Sequence, residues 1–280
     1  MNPRGHSLLK ASWLLAGLIF LQPLPCAPAG AVAPPPQPAA STDFNTYIEG
    51  VESRLSHQHQ SQTGFLAELD SNRATRDRLR RGELVIENLS PDSHANNHGA
   101  MLHHWRGTAF VPEARMEDFD RLMKDFGSYP RHFSPEVLQA KLLGEHNDNG
   151  VDRITASMRV RQKHVLTVVM DMTYDIAFAR LDAQHGYSTS RTTQVREIDS
   201  AGTSKERTLG DSEEHGFLWR LNTYWSYEEA DGGLYMQIES VTLTRSIPTG
   251  LGWAIKPYVE SVPRESLEFT LKSARDSLRR

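Results

Sequence analysis

Residues 217–246 read FLWRLNTYWSYEEADGGLYMQIESVTLTRS. Phe217, Trp219, Leu221, Thr223, Trp225 and Tyr227 recur at every second position, which is the period of a strand with one buried face. Asp231-Gly232-Gly233 supplies a tight turn and Leu234–Ser246 returns as the second arm of a hairpin. Leu234, Met236 and Ile238 share one parity in that arm, while Val241 and Leu243 have the other. A bulge near Glu239 would put all five on one side.

The same period runs through the preceding hundred residues. Ile154, Ala156, Met158 and Val160 alternate with Thr155, Ser157, Arg159 and Arg161, the RQKH turn follows, and His164, Leu166, Val168, Met170, Met172, Tyr174, Ile176 and Phe178 share a face. Asp171, Thr173 and Asp175 take the opposite one. One wet and one dry side is the signature of an antiparallel sheet. Glu83–Leu89, Met101–Val111 and Thr192–Ile198 read as further strands. Met116–His146 reads as helical, with a break at Gly127-Ser128-Tyr129-Pro130 and a restart at Ser134-Pro135. Asp43 caps an amphipathic helix over Phe44 to about Gln60, with Phe44, Ile48, Val51 and Leu55 on one face, and a second helical piece covers Phe65–Arg81.

The chain closes on a long helix, in which Leu267, Leu271, Ala274 and Leu278 form one stripe that Leu251, Ile255, Tyr258, Val259 and Val262 continue. Pro263 kinks or restarts it. That stripe belongs on the apolar face of the sheet. The expected fold is therefore α+β: a curved antiparallel sheet wrapped around a long C-terminal helix, a helix-grip, with an extra N-terminal helix.

Two ends frame this domain. Arg4 and Lys10, the apolar run Trp13–Leu21 and the small residues up to Ala29-Gly30-Ala31 have the makeup of a secretory signal peptide, residues 1–31. Residues 32–42 form a proline- and alanine-rich linker, expected to be extended. Cys26, the one cysteine, precedes the expected cleavage point, so a mature chain would rely on its core and not on disulfides. The expected location is export to a bacterial periplasm or beyond. A net charge of -4 with 24% charged residues gives no sign of a nucleic-acid partner. Arg73, Arg76 and Arg80, in an arginine-rich helix, would be the residues to touch an anionic membrane.

The order of elements and the segments HWRGTAFVP (104–112), HGFLWRLNTYWSYEEADGGLY (215–235) and GLGWAIKPYVESVPRESLEFTLKSARDSL (250–278) resemble the START-like, or SRPBCC, superfamily, and more narrowly an uncharacterised family of secreted bacterial proteins of that class. The resemblance spans residues 82–280 and leaves the helical segment 43–81 outside. It implies a cavity between sheet and C-terminal helix that takes a hydrophobic small molecule or lipid. The residues expected to face such a space are Met158, Met170, Met172, Tyr174, Trp219, Thr223, Trp225, Tyr227, Met236 and Trp253, and methionines and tryptophans suit an adaptable apolar pocket.

The alternatives are an enzyme of the cyclase or hydrolase kind and an envelope interaction module whose cavity is filled by its own side chains. His164, Tyr174, Arg180 or Tyr227 would serve an enzyme as acid or base, whereas the mature region holds no GxSxG elbow and no cysteine nucleophile. His94, His98, His103 and His104 do not converge as a metal site, since neighbours on a strand point to opposite faces and no HExxH occurs. No cofactor is expected. Arg220 and Asn222 are expected on the wet face of their strand, and Glu145–Asp152 as a polar connection.

Overall fold

In the computed structural model of the chain, residues 35–61, 64–67, 69, 72–91, 98–163, 167–246 and 252–279 are described, those from 252 to 260 by backbone alone. Helix α1 spans Pro38–His59 and α2 Arg73–Arg80. Strands β1 (Val85–Asn88) and β2 (Ala100–Pro112) precede a helical segment made of α3 (Met116–Lys124), a 3-10 turn at Phe126–Ser128 and α4 (Tyr129–His132). Seven strands follow: β3 (Val137–Asp148), β4 (Val151–Lys163), β5 (Thr167–Arg180), β6 (His185–Asp199), β7 (Arg207–Thr208), β8 (Arg220–Ala230) and β9 (Gly233–Arg245). Helix α5, Gly252–Leu278, closes the chain. All pairings are antiparallel, in the order β1-β2-β9-β8-β6-β5-β4-β3, with β7 added to β6. The result is the helix-grip expected from the sequence.

The concave face carries the main core. Leu267, Leu271 and Ala274 of α5 are buried on it beside Ala109 and Val111 of β2, Met170, Met172, Tyr174, Ile176 and Phe178 of β5, Trp225 and Tyr227 of β8, and Met236 and Ile238 of β9. Helix and sheet meet closely at Gly107 of β2, where a Cβ would stand 2.6 Å from Leu267 Cδ2. Across the other end of this face lie Phe119 of α3, Phe126 and Tyr129, with Tyr129 Oη donating to the Met123 carbonyl at 2.6 Å.

The convex face is covered too. Ala40, Phe44, Ile48, Val51 and Leu55 of α1 pack on Ala100 and Leu102 of β2, Tyr224 of β8, and Val241 and Leu243 of β9. Phe65, Leu66, Leu69 and Leu79 do the same over Phe110 and Tyr235. This corrects the bulge expected near Glu239. Strand β9 keeps an unbroken register with β2 and β8 through that residue. Its two parities are both apolar because both faces are buried, Met236 and Ile238 beneath α5 and Val241 and Leu243 beneath α1.

Four further expectations change. Residues 137–148 form strand β3, not a continuation of the helix, because pairing with β4 along its length supplies backbone partners that a short isolated helix would not outweigh. Asn149-Gly150, both at positive φ, makes a two-residue hairpin turn of the polar connection at Glu145–Asp152. Helix α1 begins at Pro38 inside the supposed linker, with proline in its first turn, so Asp43 sits within the helix and does not cap it. Helix α5 runs unbroken through Pro257 and Pro263. The signal-peptide segment lies outside the described residues.

Candidate ligand site on the concave face

Strand alternation delivers the inward-facing side chains. From β4 come Ile154 and Ala156, both buried, and Met158 and Val160, partly buried against the core. From β5 come Met170, Met172 and Tyr174, and from β8 come Trp225 and Tyr227, with half-buried Thr223 at the same parity. Met236 adds to them from β9. Eight of the ten residues expected to face this space therefore share the sheet's concave side.

Trp219 does not. It precedes the first residue of β8 and packs with the Phe44 cluster beneath α1. Its amide still donates to the Leu243 carbonyl at 2.8 Å, but the regular alternation of the strand begins only at Arg220. The side chain of Trp253 and the whole of His164 lie outside the described residues.

The polar groups of the face are few and mostly engaged. Tyr227 Oη donates to Asp120 Oδ1 of α3 at 2.7 Å, and Asp120 accepts from Arg180 at 3.0 Å. Burial, reinforced by the Asp120 charge, holds the Tyr227 phenol well above its ordinary range, so it remains protonated. Its ring lies against Gly186 of β6, where a Cβ would stand 2.4 Å from Tyr227 Cε2. Phe119 completes the stack, its ring centre 4.5 Å from that of Tyr227 and 5.2 Å from that of Trp225.

Tyr174 is placed differently. It is buried, and its hydroxyl meets the Met172 thioether at 3.3 Å. Thioether sulfur is a weak acceptor, so this phenol keeps most of its donor capacity. Burial raises its pKa as well, which makes it a neutral donor and not a base. Arg180 is not in the space at all, since its guanidinium pairs at the rim with Glu117 at 2.8 Å and Asp120.

The alternation predicts Arg220 and Asn222 on a wet face, and α1 overturns this. Asn222 is buried, its amide donating to Tyr224 Oη at 3.1 Å, and Tyr224 Oη donates to Glu52 of α1 at 3.0 Å. The Arg220 guanidinium lies 5.4 Å from the centre of the Phe44 ring. A cleft of about 650 Å³ opens between α1 and the sheet, lined by Asp43, Tyr47, Gly50, Arg54, His104 and Arg106 among others. Here Tyr47 Oη lies 2.8 Å from His104 Nδ1, and His104 Nε2 lies 2.9 Å from Glu239 Oε2. Arg54 pairs with the same carboxylate, and Arg106 donates to Glu87 at 2.9 Å. None of this polar group was singled out as a site from the sequence. The one usable signal was a charge, Glu239, in the middle of the apolar run LYMQIESVTL.

Comparison with known proteins finds likenesses among solved structures alone. No family model matches the chain, and no curated relative matches it. Among solved structures, a STAR-related lipid transfer protein from Xanthomonas axonopodis (fragment 25–204) is 16% identical, with 70% of this chain and 94% of that one covered and a TM-score of 0.45. A START superfamily protein from Mycobacterium smegmatis is 15% identical, covering 62% and 96%, with a TM-score of 0.39. The Zhui aromatase/cyclase from Streptomyces sp. R1128 is 10% identical, covering 63% and 93%, with a TM-score of 0.39. These likenesses concern the course of the chain.

Proposed function

We propose, on the premise that residues 82–280 form a START-like helix-grip domain, that this is an exported protein which holds a hydrophobic small molecule or lipid between the sheet and α5 without turning it over. The observation that carries the reading is the makeup of the concave face: Met158, Met170, Met172 and Met236 beside Trp225 and Tyr227, all in one apolar cluster with residues of α3 and α5. Thioether side chains re-pack around an apolar guest at little cost, and aromatic walls add contact area. Tyr174 Oη, held by nothing stronger than a thioether, is the group to donate to an oxygen of that guest. Its neutral state suits holding a ligand and does not suit proton abstraction.

Export rests on the composition of residues 1–31. Contact with anionic membrane through Arg73, Arg76 and Arg80 belongs to the same reading, and Arg73 and Arg80 are exposed. Arg76 is partly committed elsewhere, to Asp231 at 3.3 Å.

Native mass spectrometry of the protein from its own envelope, followed by denaturation and lipid analysis, tests the proposal. A near-stoichiometric apolar compound that vanishes in the Trp225→Ala variant supports it. Protein that releases no such compound, and takes none up from mixed lipid vesicles, has a concave face filled by its own side chains.

A further inference from the structure

Two polar groups on neighbouring strands of the concave face are buried without a partner. Trp105 follows Gly107 at the same parity of β2, and its indole packs against the main core with Nε1 buried and no hydrogen-bond partner among the described residues. Thr242 of β9 shares the parity of Met236 and Ile238 and is only 8% exposed, and its Oγ1 is likewise buried and unpartnered. The register sets the two side by side. Trp105 stands opposite Ser240 and His103 opposite Thr242, so Trp105 and Thr242 are diagonal neighbours on one face. Diagonal neighbours lie about 7–8 Å apart, within reach of an aromatic side chain. His103 is buried and already engaged.

The pair belongs to a polar band. Ser240 faces Thr223 on β8, and Thr223 faces Ser190 on β6. With Trp105 these partly buried residues run across four strands, and none of them carries a charge. The rows beside the band are apolar: Gly107, Ile238 and Trp225 face one another, followed by Ala109, Met236 and Tyr227. The concave face is thus graded from hydroxyls and one indole N–H at the band to hydrocarbon and aromatic rings toward Phe119 of α3. Tyr174 stands apart from this pair. It lies three strands from Thr242 in the order β9-β8-β6-β5, about 14 Å at the usual strand spacing, so no single oxygen of a guest meets both.

Resting on the reading of the concave face as the ligand site, we infer that Trp105 Nε1–H and Thr242 Oγ1–H together anchor a neutral carbonyl oxygen of the guest, a ketone or an ester, whose apolar body runs from there toward Trp225 and Met236. An indole N–H can only donate, and a threonine hydroxyl can donate or accept, so the group that satisfies both is an acceptor with two lone pairs. A buried donor left without an acceptor is costly, and a guest oxygen placed between the two removes that cost at both. A carboxylate would accept as well, but its charge would be buried on a band that holds no lysine or arginine. A guest hydroxyl would bring a hydrogen of its own to place, which a carbonyl does not.

Nuclear magnetic resonance of the full chain, with 15N in its five tryptophans and titrated with methyl decanoate, decanoate or decane, tests this. The indole signals of Trp105 and Trp225 are identified by their loss in Trp105→Phe and Trp225→Ala. Methyl decanoate should move the Trp105 N–H signal downfield as it gains an acceptor, and should bind more tightly than decanoate. Decane should move the Trp225 signal and produce no downfield shift at Trp105. Trp105→Phe and Thr242→Val should each weaken ester binding roughly three- to tenfold, the worth of one hydrogen bond, and leave decane binding unchanged, which also shows that the variants fold. Tyr174→Phe should leave the Trp105 shift in place. An ester that binds without moving the Trp105 signal, an ester affinity indifferent to both variants, or tighter binding of decanoate would overturn the inference while the concave face stands as an apolar site. Failure of ester and decane alike to bind overturns the inference and that reading together.

Discussion

Gly107 and Leu267 touch across the interface between β2 and α5 so closely that any side chain at residue 107 would collide, its Cβ lying 2.6 Å from Leu267 Cδ2 and 3.0 Å from Leu271 Cδ2. The glycine is there for proximity and not for backbone freedom. Gly107→Val is therefore expected to push α5 off the sheet and cost about 1–3 kcal/mol, the usual range for overpacking. Denaturant titration reads the loss, and Leu267→Ala in the same chain should restore part of it, because the two residues compete for one space.

Helix α1 is a second lid and not an appendage. Phe44 is almost fully buried against the sheet, so Phe44→Ala should cost about 3–5 kcal/mol, comparable to a residue of the main core. Equilibrium unfolding should remain a single transition, with α1 lost together with the sheet. A separate early transition of α1, followed by circular dichroism, would show that the helix is only loosely held.

The buried carboxylate of Glu239 answers to three cationic or donor groups, His104, Arg54 and Arg106. Glu239→Ala removes the buried carboxylate to which His104 and Arg54 are bonded and should cost about 3–5 kcal/mol. Glu239→Gln keeps the shape and loses the charge, and should fall between that variant and the native protein in urea midpoint.

Two groups oppose one another in their response to acid. Burial depresses the pKa of His59 to about 4, so between its ordinary value of about 6.5 and about 4 the unfolded chain binds the extra proton, and stability falls as pH falls through that window. Glu136 is raised to about 7 by burial and by the Glu265 charge, so its contribution is present at low pH and is lost as pH rises through about 7. The native protein should therefore show a shallow dependence of melting temperature between pH 4 and 7. Glu136→Gln should expose a steeper loss on the acid side, and His59→Phe a steeper loss on the alkaline side. Differential scanning calorimetry across the window distinguishes them.

Occupancy of the concave face should depend on Tyr174 through its hydroxyl alone. Tyr174→Phe keeps the ring and removes the donor, and should weaken binding of an oxygen-bearing apolar probe by about 0.5–1.5 kcal/mol, the net value of one hydrogen bond. A pure hydrocarbon probe should bind unchanged. Fluorescence titration with a matched pair of fatty alcohol and alkane reads both.

The sheet was legible because its dry face repeats every second residue: Met170 to Phe178 on β5 and Trp225 and Tyr227 on β8 appear in the sequence as they do in the core. The terminal stripe Leu267, Leu271 and Ala274 was equally plain. Legibility failed where a second layer intervened. Arg220 and Asn222 look like surface residues on a one-sided strand, and only the docking of α1 shows that their side is enclosed. Strand β3 has no alternation to reveal it, since Leu142 and Leu143 are both exposed and the pairing with β4 is what holds it extended. The hydrogen-bonded group of Tyr47, His104 and Glu239 draws on residues 57 and 135 positions apart, a proximity that no local pattern carries.

At its middle, strand β9 has opposite contents on its two sides: Met236 and Ile238 in oil, Gln237 and Glu239 in a hydrogen-bonded polar layer. A slip of one residue against β2 or β8 would carry the Glu239 charge into the apolar core and Ile238 into the polar layer. Each exchange would cost several kcal/mol. The strand thus admits a single alignment, so misregistered hairpins formed during folding are expelled by charge as well as by packing.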